Sequence, residues 1–384
     1  MKVLLGGIPL GCDNIGDEAI ITCVVRMLKE SLPNIKLTVA TADPGTSERL
    51  GVSVVPPYGF AECGLDGFSE TVRRHDAYVW CGATGFSDYP YVALDLLEAA
   101  QNFGVPTFVW GVGMDDELNP VFFRVYGKKR MLLSLFGLVG WYERRLRARL
   151  SHRISRILPR CKGVWLRDPE SVEMLATMGF GNAGLAADTA ILLGNREEER
   201  VKRGEENEER GNGQHATLGL CISTQRPVSD LEGLKKMIAA VRASGARVLG
   251  IPMNPKTDRA LLEELGVVCI PGTTPEAVTE AAARCSVVLS SRLHLLILAA
   301  NAGTPILGIA RGSKLANWLA NFGRVVEGSV SDCDWEKVTE HVLVALRDRG
   351  DWDIVRAAAY ERLDARLEKA RGEFVKRLGE CHGR

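Results

Sequence analysis

The chain has 384 residues, 46% hydrophobic and 25% charged, which is ordinary for a globular protein and long enough for two domains with substantial cores. Its 48 Lys and Arg balance 48 Asp and Glu, so no basic excess argues for nucleic acid as a partner. The 10 cysteines form no CxxC pair and no Cys/His pattern with zinc spacing; a reduced, cytosolic compartment accounts for them more simply than a disulfide framework.

Met1–Leu10 reads as one short apolar strand with no cleavage site behind it, so no signal peptide is expected. The first half then alternates. Strands are predicted at Val3–Ile8, Lys36–Ala40, Ala77–Trp80, Thr107–Val112 and Lys162–Leu166, with helices at Asp17–Ser31, Tyr91–Phe103 and Pro169–Met178. Met131–Trp141 is the longest apolar stretch, but it is too short for a bilayer and contains Ser134, Gly137 and Gly140. A soluble protein is expected. From Arg196 to Gln214 the apolar pattern stops in a run of charges followed by Gly211–Gly213, the signature of a solvated linker or loop.

Alternation resumes with strands at Leu218–Ser223, Val248–Pro252, Val267–Ile270, Val287–Ser290 and Pro305–Ala310. Helices are predicted between them at Asp230–Ser244, Asp258–Leu265 and Pro275–Arg284, and a short apolar one after Ser290. Asp334–Asp348 and Asp353–Leu378 close the chain as helices. Strands alternating with helices give parallel sheets covered on both faces. The expected fold class is α/β, two Rossmann-like domains facing a cleft: residues 1–195, a charged linker or loop at 196–215, a second domain at 216–350, and a C-terminal helix, 351–384, packing back on the first domain.

Four stretches stand where a strand hands over to a helix, the edge at which such sheets bind ligands. Gly11–Ala19 follows the first strand. There Asn14 as N-cap with Asp17 at N3 resembles a capping box, and Asp17 and Glu18 suit the positive helix end; contact of Asn14, Gly16 and Asp17 with a ligand is the alternative. In Trp165–Ser171, Pro169 suits a first helical turn and Asp168 a cap. Arg167 is not needed for capping. It is either a bidentate anion ligand or one half of a surface pair with Asp168 or Glu170. Gly82–Ala83–Thr84–Gly85 and Asp188 carry weaker signals of the same kind.

Ser290–Ser291–Arg292–Leu293–His294 is the most informative stretch. It sets an arginine, a histidine and two hydroxyls beside free helix N–H groups that favour an anion. Histidine is the side chain with an ordinary pKa, about 6.5, near neutrality. Arg311 and Lys314 follow the next strand at the same sheet edge, where Lys314 adds a point charge suited to phosphate or is simply solvated. A small substrate carrying both phosphate and carboxylate fits this set. Separately, Lys128–Arg130 and Arg144–Lys162 are rich in basic residues interleaved with Trp141, Tyr142, Leu146, Leu150, Ile154 and Ile157, of which the four aliphatic side chains lie on one helical face. That stripe packs on the core, or the segment contacts an anionic membrane surface.

Asn14–Ala19, Leu166–Ser171 and Ser291–His294 with Ala299–Ala300 and Gly303–Pro305, in this order and spacing, resemble the polysaccharide pyruvyltransferase family of bacterial cell-wall polymer synthesis, from the first strand to about Gly323. The resemblance implies a GT-B-like architecture and transfer of the enolpyruvyl group of phosphoenolpyruvate, as co-substrate, to a sugar hydroxyl pair as a pyruvate ketal. It implies no other cofactor and no metal. Carried over, Arg167, Arg292, Lys314 and Ser291 bind the donor on the second-domain side. Asn14, Gly16 and Asp17 line the acceptor side. His294 is the general acid/base, Arg292 supports it, and Asp17 is the second choice of base.

Two loops depart from the family. Cys81–Gly85 replaces a run of three glycines, and Arg311–Gly312–Ser313 precedes Lys314 in place of a Tyr-Asp-Pro-like segment. The implied setting is cytoplasmic, with a glycan acceptor that a lipid-linked form would bring to the inner face of the membrane through residues 144–162. The competing reading is a GT-B glycosyltransferase with a nucleotide-sugar donor. A third is a non-catalytic binding protein of the same fold.

Overall fold

The computed structural model describes residues 1–116, 118–194, 216–224 and 227–381. The charged segment expected at 196–215 lies outside the described residues. The chain divides into two compact units. The first comprises Met1–Cys12, Val24–Thr189 and Asp364–Arg384, the second Asp13–Cys23 and Ala190–Leu363. Where the sequence boundaries run at 195 and 350, this division sends the start of helix Ile15–Ser31 to the second unit and the end of helix Trp352–Gly379 to the first.

In the first unit seven strands form one parallel sheet: β1 (Lys2–Gly6), β2 (Lys36–Ala40), β3 (Ser53–Val55), β4 (Ala77–Cys81), β5 (Thr107–Val112), β6 (Gly163–Leu166) and β7 (Gly184–Leu185). Their order is β3-β2-β1-β4-β5-β6-β7. The central strands β4 and β5 are buried at every residue, as their unbroken apolar sequences AYVWC and TFVWGV require of strands covered on both faces. Phe374, late in helix Trp352–Gly379, stacks on Trp110 at 4.7 Å and 18°, and meets Phe108 and Trp165 edge-on or tilted. That aromatic cluster is part of this unit's own core.

The second unit repeats the plan with β8 (Thr217–Cys221), β9 (Arg247–Gly250), β10 (Val268–Cys269), β11 (Val287–Ser290), β12 (Ile306–Ala310) and β13 (Gly328–Ser329). All are parallel, in the order β10-β9-β8-β11-β12-β13. In both sheets the order reverses once, between β1 and β4 and between β8 and β11. These are the topological switch points at which doubly wound sheets open a ligand crevice.

The helix after β11, Leu293–Asn301, is buried at eight of its nine residues, leaving only His294 partly accessible. Its last residue, Asn301, is a satisfied buried amide: Nδ2 donates to the carbonyls of Ala190 and Leu193, and Oδ1 accepts from Tyr360. Leu150, Ile154 and Ile157 of helix Val139–Ile157 are buried and Leu146 half-buried, so the stripe read from the sequence packs on the core. Arg153 of the same helix pairs with Asp95 and Glu98. None of the ten cysteines forms a disulfide. Among the described residues no helix is long and apolar enough to cross a membrane.

Candidate functional site

In the first unit the site residues stand at the C-terminal ends of β4, β5 and β6. Asp168 caps helix Pro169–Thr177, its Oδ1 accepting from Ser171 N at 2.8 Å, with Pro169 in the first turn. The cap fixes the chain that leaves β6 and so aims Arg167. Arg167 is buried, with 4% of its side chain exposed; Nε lies 3.4 Å from Asp168 and Nη1 donates to the buried Asp188 at 3.3 Å. Both contacts exceed the 2.7–2.9 Å usual between a guanidinium and a carboxylate. Nη2 is buried with no hydrogen-bond partner.

Room for the guanidinium comes from Gly113, where a Cβ would lie 2.4 Å from Arg167 Nε. Gly113 N in turn donates to Ala83 O at 2.8 Å, which places the 82–85 loop beside Arg167. Ala83 takes a left-handed φ of 61°, a conformation that ordinarily favours glycine. A buried cation with loose carboxylates and an unmet donor is an arrangement that an anion would complete.

In the second unit Asn14 opens helix Ile15–Ser31: its carbonyl accepts from Asp17 N and Glu18 N, and its Oδ1 from Gly16 N. Asn14 is thus the N-cap, and its Nδ2 donates to Asp17 Oδ2 at 2.7 Å, a side-chain pair distinct from the reciprocal side-chain-to-backbone bonds of a capping box. Asp17 is buried, at 3% exposure. The loop is anchored by Ile15 N donating to Met253 O at 3.0 Å. His294 packs against this loop: a Cβ on Gly16 would lie 2.2 Å from His294 Nδ1 and 2.6 Å from Cγ. The Asn14–Asp17 and Arg292–His294 motifs, far apart in the sequence, are thus brought together.

Arg292 leaves β11 in extended conformation and its guanidinium is held edge-on by Asp258, with Nε to Oδ2 at 3.0 Å and Nη2 to Oδ1 at 2.6 Å. Asp258 is completely buried and also accepts from Asn254 N at 2.9 Å. Its third neighbour, Cys221, is a thiol donor at 3.6 Å; burial, and then the Asp258 carboxylate, push that thiol well above the ordinary cysteine range. Cys221 is therefore protonated at neutral pH and is no nucleophile. The Nε edge of Arg292 is committed to Asp258, which leaves the outer edge, both N–H of Nη1 and the second N–H of Nη2, to offer an anion.

The hydroxyls beside Arg292 hold the loop. Ser290 Oγ accepts from Arg292 N at 2.8 Å, and the buried Ser291 Oγ accepts from Ser223 N at 2.7 Å across the β8/β11 switch point. Ser291, expected as a donor contact, uses this oxygen to accept from the loop after β8. Arg311 Nη1 donates to Ser223 Oγ at 3.0 Å, which ties the loop after β12 to the same point. Lys314 stands one turn on, partly exposed at the start of helix Ser313–Ala320. Asp258, Ser223 and Gly113 are the residues that sequence reasoning missed. An acid opening a helix looks like a dipole partner, and only its burial marks Asp258 out. Among the described residues no three His, Cys, Asp or Glu side chains are grouped so as to hold a metal ion.

Two Rossmann-like sheets with switch-point loops define an α/β protein of GT-B-like fold, and solved structures agree. The chain aligns with UDP-GlcNAc 2-epimerase from Neisseria meningitidis at TM-score 0.56 and 14% identity, covering 99% of this chain and 100% of that one. It aligns with Anabaena Alr3699/HepE at TM-score 0.59 and 10% identity (98% and 99% covered), and with a ugt transferase from Siraitia grosvenorii at 0.56 and 13% (98% and 99%). At such identities the likeness is one of fold. No curated protein matches the sequence. The family model described as polysaccharide pyruvyl transferase matches residues 14–313, a span from Asn14 through Arg167 to Ser313, and the chain belongs to that family.

Proposed function

We propose that this protein transfers the enolpyruvyl group of phosphoenolpyruvate to a pair of hydroxyls on a glycan, forming a pyruvate ketal. The observation that carries the reading is His294 packed on Gly16 inside the Asn14–Asp17 loop, two residues from an arginine locked in place by a buried carboxylate. The donor carries a carboxylate and a phosphate, so it needs several cations in fixed geometry. Arg292, oriented by Asp258, supplies one. Lys314, in the same unit as Arg292, supplies another. Arg167, in the first unit, is an anion ligand in its own right, and its unmet Nη2 supports an anionic partner for it.

The chemistry follows from the groups. His294 delivers a proton to the methylene carbon, which becomes a methyl group and leaves an oxocarbenium-like centre at C2. One sugar hydroxyl attacks C2 and releases its proton. The second hydroxyl displaces phosphate from C2 and closes the ketal, its proton leaving with the phosphate. One of these protons restores His294, and no net oxidation occurs. Asp17, buried and hydrogen-bonded to Asn14, is the second base, toward the acceptor hydroxyl. General acid/base catalysis of this kind contributes about 10²–10⁴-fold.

The direct test is phosphate release from phosphoenolpyruvate in the presence of candidate glycans, run beside nucleotide sugars. Phosphate release that requires the glycan supports the reading. Turnover with a nucleotide sugar alone would establish the glycosyltransferase reading instead.

A further inference from the structure

Outside the site, the described surface is uneven in one place. Eight of the fifteen exposed large hydrophobic side chains lie between residues 121 and 141. Helix Gly127–Leu135 has no buried residue at all. Met131, Leu132 and Leu135 share one of its faces and are 66%, 57% and 74% exposed; Phe136, Leu138 and Trp141 continue the apolar surface at 69%, 41% and 48%. A nine-residue helix has little intrinsic stability in water, and a contiguous apolar patch on a soluble protein marks a contact surface.

Charge says which kind. From 121 to 149 the chain carries eight Lys and Arg against one acid, Glu143, in a protein whose net charge is zero. Glu143 is turned to the backbone of Val125, its Oε1 accepting that N–H at 3.2 Å. Lys128, Lys129 and Arg130 flank the apolar face of the short helix, and Arg144, Arg145, Arg147 and Arg149 are exposed or half-exposed on the next. Lys129 lies 4.0 Å from the centre of the Tyr142 ring and Arg145 5.5 Å from that of Trp141, so aromatic and cationic groups are interleaved. Apolar side chains in the plane of a short helix, an interfacial tryptophan and a basic rim are what an anionic lipid bilayer receives; a protein partner of ordinary composition needs no such excess of one sign.

We infer that residues 126–147 form a docking surface for an anionic lipid bilayer, entered by the apolar face of helix Gly127–Leu135 and held by the basic residues around it. The surface shares the basic residues Lys128–Arg130 and Arg144–Arg147 with the feature singled out by sequence, but takes its apolar face from Met131–Trp141, because Leu150, Ile154 and Ile157 are committed to the core. It stands on exposure and charge alone and does not depend on the catalytic reading.

The test is co-sedimentation of the whole protein with vesicles of phosphatidylcholine, alone or mixed with phosphatidylglycerol in roughly equal parts. Binding to the mixed vesicles, weak on the neutral ones and reduced by salt, is expected. Leu132→Asp with Leu135→Asp is expected to cut the partition coefficient at least about tenfold, and Lys128→Gln with Arg130→Gln several-fold. Unchanged unfolding transitions would show that both pairs fold. No association of the wild type with anionic vesicles, or equal association of the Asp variant, would overturn the proposal. So would dimerisation of the wild type without vesicles that the Asp variant abolishes, since a second copy would then be the occupant.

Discussion

Gly16 presents bare backbone to the imidazole of His294: a Cβ there would come within 2.2 Å of Nδ1. Gly16 lies in the first turn of a helix, where alanine is otherwise favoured. Gly16→Ala is therefore expected to leave folding nearly intact but to push the histidine aside. A displacement of about 1 Å costs on the order of 10²-fold in turnover. Unaltered kcat with an unaltered melting temperature would show that the contact does not position His294.

His294 and Arg292 separate chemistry from binding. His294→Gln is expected to lower turnover by about 10²–10⁴-fold with donor affinity largely retained. Arg292→Ala should weaken donor binding itself, and Arg292→Lys should not rescue it, because an ammonium cannot engage Asp258 and an anion with one planar fork. Isothermal titration with phosphoenolpyruvate distinguishes them. Normal affinity in Arg292→Ala would remove Arg292 from the donor site.

Asp258 is the buried partner of Arg292. Asp258→Ala leaves the guanidinium uncompensated and is expected to cost roughly 3–5 kcal/mol in denaturant unfolding. Asp258→Asn keeps the shape and an acceptor for Asn254 N, so it should be milder for stability yet still impair donor binding. A purely structural Asp258 would leave donor affinity in Asp258→Asn unchanged.

Arg167 has an unmet donor, so an anion should stabilise the protein through it. At about 100 times its dissociation constant a bound donor contributes ~2.7 kcal/mol, visible as a raised melting temperature. Arg167→Gln is expected to lose most of that increment. An equal shift in wild type and variant would place the anion elsewhere.

His75 gives a pH signature unrelated to the site. Half-burial lowers its pKa, while Nδ1 contacts Thr71 O and Nε2 contacts Thr38 Oγ1. A histidine with a depressed folded-state pKa binds its proton more readily when unfolded. Its contribution is thus complete above about pH 6.5 and is lost as pH falls through the folded-state value. Stability should decline below about pH 6.5, and the decline should be shallower in His75→Gln. Equal pH slopes in urea unfolding would exclude His75 as the source.

The two sheets are largely legible in the sequence because β1, β4, β5, β8, β11 and β12 are apolar runs bounded by glycines and helix starts. The edge strands β3, β7 and β13 span two or three residues, half-exposed or open, and leave no periodicity to read. At the site, Arg292, His294 and Asn14–Asp17 are visible because their spacing is that of a strand-to-helix turn. Asp258 is not, since its partner lies 34 residues away and its own place reads as an ordinary helix start. Nor can composition show that the basic helix turns Leu150, Ile154 and Ile157 inward while Met131–Trp141 stays outside. That depends on which face meets the helix Pro90–Asn102, to which Arg153 is salt-bridged.

Proton transfer to the donor followed by ketal formation can be followed in one reaction run in deuterated water. With phosphoenolpyruvate and the glycan acceptor, the expected products are stoichiometric phosphate and a ketal whose methyl group carries one solvent deuteron, both abolished in His294→Gln. An acceptor left unmodified by phosphoenolpyruvate but modified by a nucleotide sugar would contradict it.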